Sequence, residues 1–166
     1  MDINIASVLR KEGLSINVDF SGNVDGLGCT LDSYVLGKPI IFKGTLQDNR
    51  GKLNLKGLIN LEYDSPCYRC LKNIHGSMEI PVREDILDAA KVADKDDVFT
   101  YEGDYLNIDR ILLAYIVLNM PMKQLCKDDC KGLCPKCGIN LNEAKCRCKV
   151  DEDSNPKMDI LKNYFK

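Results

Sequence analysis

The sequence predicts an α+β protein: an N-terminal antiparallel β-sheet or partial barrel with flanking helices, followed by a cysteine-rich zinc-binding segment toward the C-terminus. Three observations lead there. Apolar and polar residues alternate in "LSINVDF" (Leu14 to Phe20) and "KLNLKGLINLEY" (Lys52 to Tyr63), the period-two signature of half-buried strands. A nearly all-apolar run, Ile108 to Asn119, stands between Asn107 and Pro121. Six cysteines crowd the 24 residues from Leu125 to Cys148.

Taken in order, Ile5, Val8 and Leu9 fall at helical spacing with Gly13 placed to stop them, so residues 2–12 predict a short amphipathic helix. The strand Leu14 to Phe20 follows. "KPIIFKGTLQ" (Lys38 to Gln47) predicts a second strand running into "DNRG" (Asp48 to Gly51), a hairpin turn by composition, and then the strand Lys52 to Tyr63. "SMEIPVRED" (Ser77 to Asp85) predicts another, with Pro81 marking an edge. From Glu84 to Asp104 eight acidic residues face two lysines, which predicts a solvated connection or an acidic docking segment. Asn107 is placed to cap the helix Ile108 to Asn119, and Pro121 to end it. In the tail, Asn155 to Lys166, Met158, Leu161 and Phe165 recur near helical spacing.

A chain of 166 residues, 45 % hydrophobic, supports one ordinary core and a small appended module. The expected division is a β-rich domain over residues 1–104, and over 105–166 a helix, the cysteine segment and a tail helix. "MDINIASVLRKEG" has no apolar run behind a basic segment. The longest apolar stretch, Ile111 to Leu118, falls well short of the roughly 20 residues of a spanning helix. A soluble, cytoplasmic protein without membrane contact is expected, in a compartment that keeps thiols reduced.

The nine cysteines are Cys29, Cys67, Cys70, Cys126, Cys130, Cys134, Cys137, Cys146 and Cys148. "CYRC" (Cys67, Cys70) and "CPKCG" (Cys134 to Gly138) have the two-residue gap of a zinc knuckle, whose tight turn aims two sulfurs at one metal. An odd count in a reducing compartment speaks against a disulfide framework. A redox Cys-x-x-Cys belongs at a helix N-terminus, whereas "SPCYRCLKN" lies between two strands. The gaps among Cys130, Cys134 and Cys137 resemble the cluster motif of radical S-adenosylmethionine enzymes, but Lys136 stands where those carry an aromatic and only 29 residues follow.

Two structural Zn2+ ions, each held by four thiolates, are therefore expected, with Cys29 left over as a small buried hydrophobe. Loop closure favours near partners, which groups Cys134, Cys137, Cys146 and Cys148 in one site and leaves Cys67 and Cys70 to join Cys126 and Cys130. The rival arrangement is a split ribbon of Cys67, Cys70, Cys134 and Cys137, with Cys126, Cys130, Cys146 and Cys148 as the second site. In both, metal binding becomes part of folding.

A catalytic zinc needs an open coordination position and usually histidine. The single histidine, His75, reads as a strand residue, and no phosphate loop, nucleophile elbow or catalytic carboxylate pair is present. No enzyme and no small-molecule substrate are expected. With 23 basic and 25 acidic residues the chain has no global nucleic-acid signature. Locally, Lys127, Lys131, Lys136, Lys145, Arg147 and Lys149 surround the cysteines. They serve either to neutralise the metal–thiolate centres, at about minus two each, or to contact RNA phosphates.

"CYRC", then "NIDRILLAYIVLNMP", then "LCKDDCKGLCPKCGINLN" with "CRC" after it and an Asn-Pro-Lys tail together resemble the YceD family, most specifically in "GLCPKCG" followed by "NLN". The tail departs, having Asn155, Pro156 and Lys157 where Asp-Pro-Arg is expected. The resemblance implies a part in accumulation or processing of large-subunit ribosomal RNA and carries over no catalytic residue. The expected function is thus a non-enzymatic zinc-binding factor that binds precursor rRNA or a ribosome assembly protein. A thiol redox protein or sensor using Cys67 and Cys70 is the alternative, and a DNA-reading zinc ribbon a third.

Overall fold

A computed structural model describes residues 2–11, 13–23, 34–36, 39–49, 51–92 and 98–148. Cys29, Lys149 and the tail Asn155 to Lys166, to which the sequence assigned roles, lie outside them.

The molecule is mostly β-sheet. Strands β1 (Asp2–Asn4), β2 (Ser15–Gly22), β3 (Val35–Leu36), β4 (Ile40–Asn49), β5 (Lys52–Pro66), β6 (Asn73–Asp88), β7 (Thr100–Tyr101) and β8 (Tyr105–Asn107) accompany helices α1 (Ala6–Arg10) and α2 (Asp109–Asn119). The main sheet runs β2-β4-β5-β6-β7, with β3 also on β5. Every pairing in it is antiparallel except the parallel contact of β6 with β7. Among the described residues nothing pairs β2 with β7, so the sheet stays open rather than closing into a barrel.

The expected N-terminal helix over 2–12 is shorter than predicted. Asp2 to Asn4 instead form a strand against β8, with Ile3 opposite Leu106, and only Ala6–Arg10 coil. A five-residue helix has little stability of its own, so the pairing partner decided the backbone. The acidic stretch is likewise only partly a connection. Glu84 to Asp88 complete β6, where Glu84 accepts a 2.8 Å hydrogen bond from the Tyr115 hydroxyl, and Asn54 donates to Asp85. Asp94, Lys95, Asp96 and Asp97 lie outside the described residues.

One face of the sheet buries Phe42, Leu46, Leu53, Leu55, Ile59, Ile80 and Ile86, and α2 contributes Ile111, Leu112 and Ile116 to the same cluster. The Asn107 side chain accepts from the Asp109 amide at 3.1 Å, and Pro121 follows the helix. Gly44 and Gly57 sit opposite one another across β4 and β5. A Cβ on Gly57 would lie 2.6 Å from the Phe42 ring. The ring of Phe42 thus occupies the volume that two missing side chains leave. Among the described residues the one strand on the outer edge of β6 is β7, near its end; the Tyr115 hydroxyl occupies the Arg83 backbone there, and Pro81 offers no N–H to recruit another strand. No helix among the described residues is long and apolar enough to cross a membrane.

What positions the cysteines is the length of the β5–β6 hairpin. β4 pairs with β5 only as far as Asn60, yet β5 and β6 continue together to Pro66 opposite Asn73. The connection across the tip is "CYRCLK".

Candidate metal centres

Both knuckles are the same turn built twice. At the hairpin tip, the Leu71 amide donates to the Cys67 carbonyl at 2.9 Å and the Cys67 amide to the Lys72 carbonyl at 2.8 Å. In the second, the Gly138 amide donates to the Cys134 carbonyl at 2.9 Å and the Cys134 amide to the Ile139 carbonyl at 2.9 Å. The residue after the second cysteine must be left-handed: Gly138 has φ +71°, and Leu71 has φ +59°. Glycine adopts that backbone freely, whereas a side chain there costs about 1–3 kcal/mol.

The sulfurs gather into two groups, Cys67, Cys70, Cys126 and Cys130, and Cys134, Cys137, Cys146 and Cys148, each with all four sulfurs within 4.8 Å of one another. This is the nested arrangement; the split ribbon does not occur. Cys130 falls in a different group from Cys134 and Cys137, so those three form no common cluster site. In the first group Cys67 Sγ is 3.8 Å from Cys130 Sγ and Cys70 Sγ 3.5 Å from Cys126 Sγ. In the second, Cys146 Sγ is 3.5 Å from Cys137 Sγ and 3.3 Å from Cys134 Sγ. These separations are far beyond a disulfide bond of about 2.05 Å. They lie close to the edge of a tetrahedron with metal–sulfur bonds of about 2.3 Å, which is about 3.8 Å.

The donor chemistry fits a cation as well. Burial would push the Cys67 thiol up, but the amides of Cys70, Arg69 and Cys126 converge on its sulfur and hold it at about 6. The amides of Cys137 and Lys136 hold Cys134 at about 6 too. Cys126 is pushed up to about 12 by burial and then by the sulfurs of Cys130, Cys70 and Cys67. Cys148 is pushed up to about 12 by Cys146 and Cys137. Four thiolates this close cannot all ionise unaided; a dication would displace the remaining protons. Each group is a closed four-sulfur set able to hold one metal ion.

The first group is the more deeply set. Cys67, Cys70 and Cys130 are buried with Ile74, Leu125 and Leu133 packed around them, while Cys137 and Cys148 are exposed. Arg69 and Asn142, given no role by sequence reasoning, tie the two groups together. Arg69 Nη1 donates to the Cys130 carbonyl at 2.8 Å, and the Arg69 carbonyl accepts from the Leu133 amide at 3.1 Å. Asn142 Nδ2 donates to Cys130 Sγ at 3.3 Å while its Oδ1 accepts from the Lys131 amide at 2.9 Å. Nothing in "NLN" points to the sulfur that Asn142 meets, which lies twelve residues away.

Two glycines give a graded prediction. Gly138→Ala meets no atom within 4 Å and suffers only its φ of +71°, so a loss of about 1 kcal/mol is expected in urea unfolding. Gly132→Ala combines φ +75° with a Cβ 3.1 Å from the Arg69 carbonyl. It is expected to cost about twice as much and to weaken metal retention in the first group. Equal effects at both positions would contradict the packing of Gly132 on Arg69.

The predicted contact residues Lys127, Lys131, Lys136, Lys145 and Arg147 are all exposed around the cysteines. Lys127 pairs with Asp129 at 3.6 Å. His75 stands apart on β6 between Asp64 and Glu62 and joins neither sulfur group.

Residues 55–164 match the family described as large ribosomal RNA subunit accumulation protein YceD. An uncharacterised protein of Mycobacterium leprae is 24 % identical over 69 % of this chain and 55 % of its own length. A chloroplastic protein of Arabidopsis thaliana, named large ribosomal RNA subunit accumulation protein YCED homolog 1, is 27 % identical over 90 % of this chain and 58 % of its own. Its namesake from Zea mays is 24 % identical over 77 % of this chain and 54 % of its own length. The chain thus spans little more than half the length of these relatives. No solved structure matches.

Proposed function

This chain belongs to the YceD family, and from that premise we propose that it is a non-enzymatic, cytoplasmic zinc-binding factor. It supports accumulation or processing of large-subunit ribosomal RNA by holding precursor rRNA or an assembly protein. The observation that carries the reading is the closure of both four-cysteine groups, which favours scaffold over reaction centre: each sulfur has three sulfur neighbours and no position is open to substrate. Zn2+ is the metal such all-thiolate tetrahedra favour, and it contributes folding energy, not chemistry. The exposed Lys127, Lys131, Lys136, Lys145 and Arg147 supply a surface on which phosphate contact would be steeply salt-dependent.

The experiment is fractionation of ribosomal precursors from cells carrying the tagged protein. Co-migration with large-subunit precursors at low salt, weakened by added salt and by prior chelation, is expected. Absence from every precursor fraction at low salt rules the reading out. The redox alternative draws on the lowered Cys67 thiol, but Cys67 and Cys70 are buried and a working thiol must be reached. Rapid alkylation of these two in metal-loaded protein would favour that alternative.

A further inference from the structure

The main core gives way to the cysteine cluster where the β5–β6 hairpin extends past the end of its pairing with β4. There a cleft of about 470 Å3 opens between the hairpin, the first knuckle and the segment after the helix. Tyr68, Leu71 and Met122 line it and are 67 %, 65 % and 94 % exposed. Val117, Met120 and Pro121 form the opposite wall. Leu71 is the left-handed residue of its turn, at the position where the second knuckle has Gly138. The strain is thus spent on presenting a large apolar side chain to the cleft. Ser65 also lines the cleft, and its buried hydroxyl has no hydrogen-bond partner among the described residues.

We infer that this cleft docks a short apolar segment of a partner protein flanked by acidic residues. The walls set the apolar part, since leucine and methionine side chains complement other side chains, and Met122 adapts its shape to them. Charge sets the flanks. Among the described residues no carboxylate lines the cleft, while the exposed Lys72 follows Leu71 in the chain and Lys123 Nζ lies 5.7 Å from the Tyr68 ring. Single-stranded RNA fits less well, because bases stack on aromatic faces; among the described residues Tyr68 already carries Lys123, and the half-buried Tyr34 packs against Tyr63. A second copy of the chain fits less well too: eleven residues line the cleft, against roughly 20–30 per side in a standard interface. The inference takes up the protein-partner side of the proposed function.

The test is selection of displayed short peptides on the zinc-loaded full chain, followed by titration of one synthesised winner. Enriched sequences are expected to carry at least two large apolar residues beside Asp or Glu. Leu71→Gly and Met122→Ser should each weaken binding about ten-fold. Leu71→Gly also removes the backbone strain, so its melting temperature should not fall, separating lost binding from lost folding. The inference is overturned by failure to enrich, by basic winners, or by winners that bind both variants unchanged. It is equally overturned if the two variants instead abolish binding of an oligo-uridylate probe or a concentration-dependent dimer. Precursor co-migration is scored separately: its loss with peptide binding intact counts against the ribosomal reading and leaves the cleft standing.

Discussion

If the two groups hold zinc as proposed, Cys130→Ser is expected to lower the metal content from two ions per chain to one, and to release the segment from Met122 to Cys148 from the hairpin tip while the sheet stays folded. The Cys130 sulfur is buried, 3.8 Å from Cys67 Sγ, and receives the Asn142 amide. A serine hydroxyl there neither ionises at neutral pH nor reaches as far, so the remaining three thiolates lose their fourth partner. Structural zinc contributes apparent energies of about 10–16 kcal/mol in small peptides, comparable to the whole stability of a domain, about 5–15 kcal/mol. Here the main core, built from Phe42, Leu55, Ile59, Ile111 and their neighbours, is a separate cluster from the one around Cys67, Cys70 and Cys130. The loss should therefore be local: elemental analysis reads one zinc, and limited proteolysis cuts between residues 122 and 148 first. Cys148→Ser, at an exposed ligand of the second group, should also remove one zinc but leave the hairpin tip protected. Two metals retained in Cys130→Ser, with unchanged proteolysis, would contradict the assignment of this group as a metal site.

The largest effect expected from the main core is at Phe42. Truncation to alanine removes a fully buried ring and uncovers the Gly44–Gly57 pair beneath it, which carries no side chains of its own to fill the space. A loss of about 3–5 kcal/mol is expected, read as a lower urea midpoint with unchanged slope. The coupling to glycine makes a sharper test. Gly57→Ala alone drives a Cβ to 2.6 Å from both the Phe42 ring and the Lys43 carbonyl oxygen. In the Phe42→Ala background the ring clash is gone and only the backbone clash persists, so the second substitution should cost less than in the parent. Additive costs would mean that the ring does not rest on Gly57, since residues in contact couple and independent ones do not.

Much of this was legible in order along the chain. The alternation in Leu14 to Phe20 and Lys52 to Tyr63 marks β2 and β5, and the apolar run before Pro121 marks α2, because each pattern is carried by contiguous residues. β3, β7 and β8 escaped notice: two or three residues are too few to show a period. Asp2 to Asn4 misled for a related reason, since the helical spacing of Ile5, Val8 and Leu9 was extended backward over residues whose partner, Tyr105 to Asn107, lies about a hundred positions away. At the candidate metal centres, the cysteines and both turns were visible as spacing. Arg69, Asn142 and the strained Leu71 were not, because nothing in "CYRCL" or "NLN" indicates what those side chains will meet.

The sequence by itself determined the four long strands β2, β4, β5 and β6, the helix α2, the two Cys-x-x-Cys turns and the family, all properties of neighbouring residues or of their order. Only the tertiary structure decided which sulfurs share a group and where the apolar cleft opens. Both depend on how far β5 and β6 run together beyond β4. That length sets where Cys67 and Cys70 stand in space, and so brings them to Cys126 and Cys130 across some sixty residues of chain.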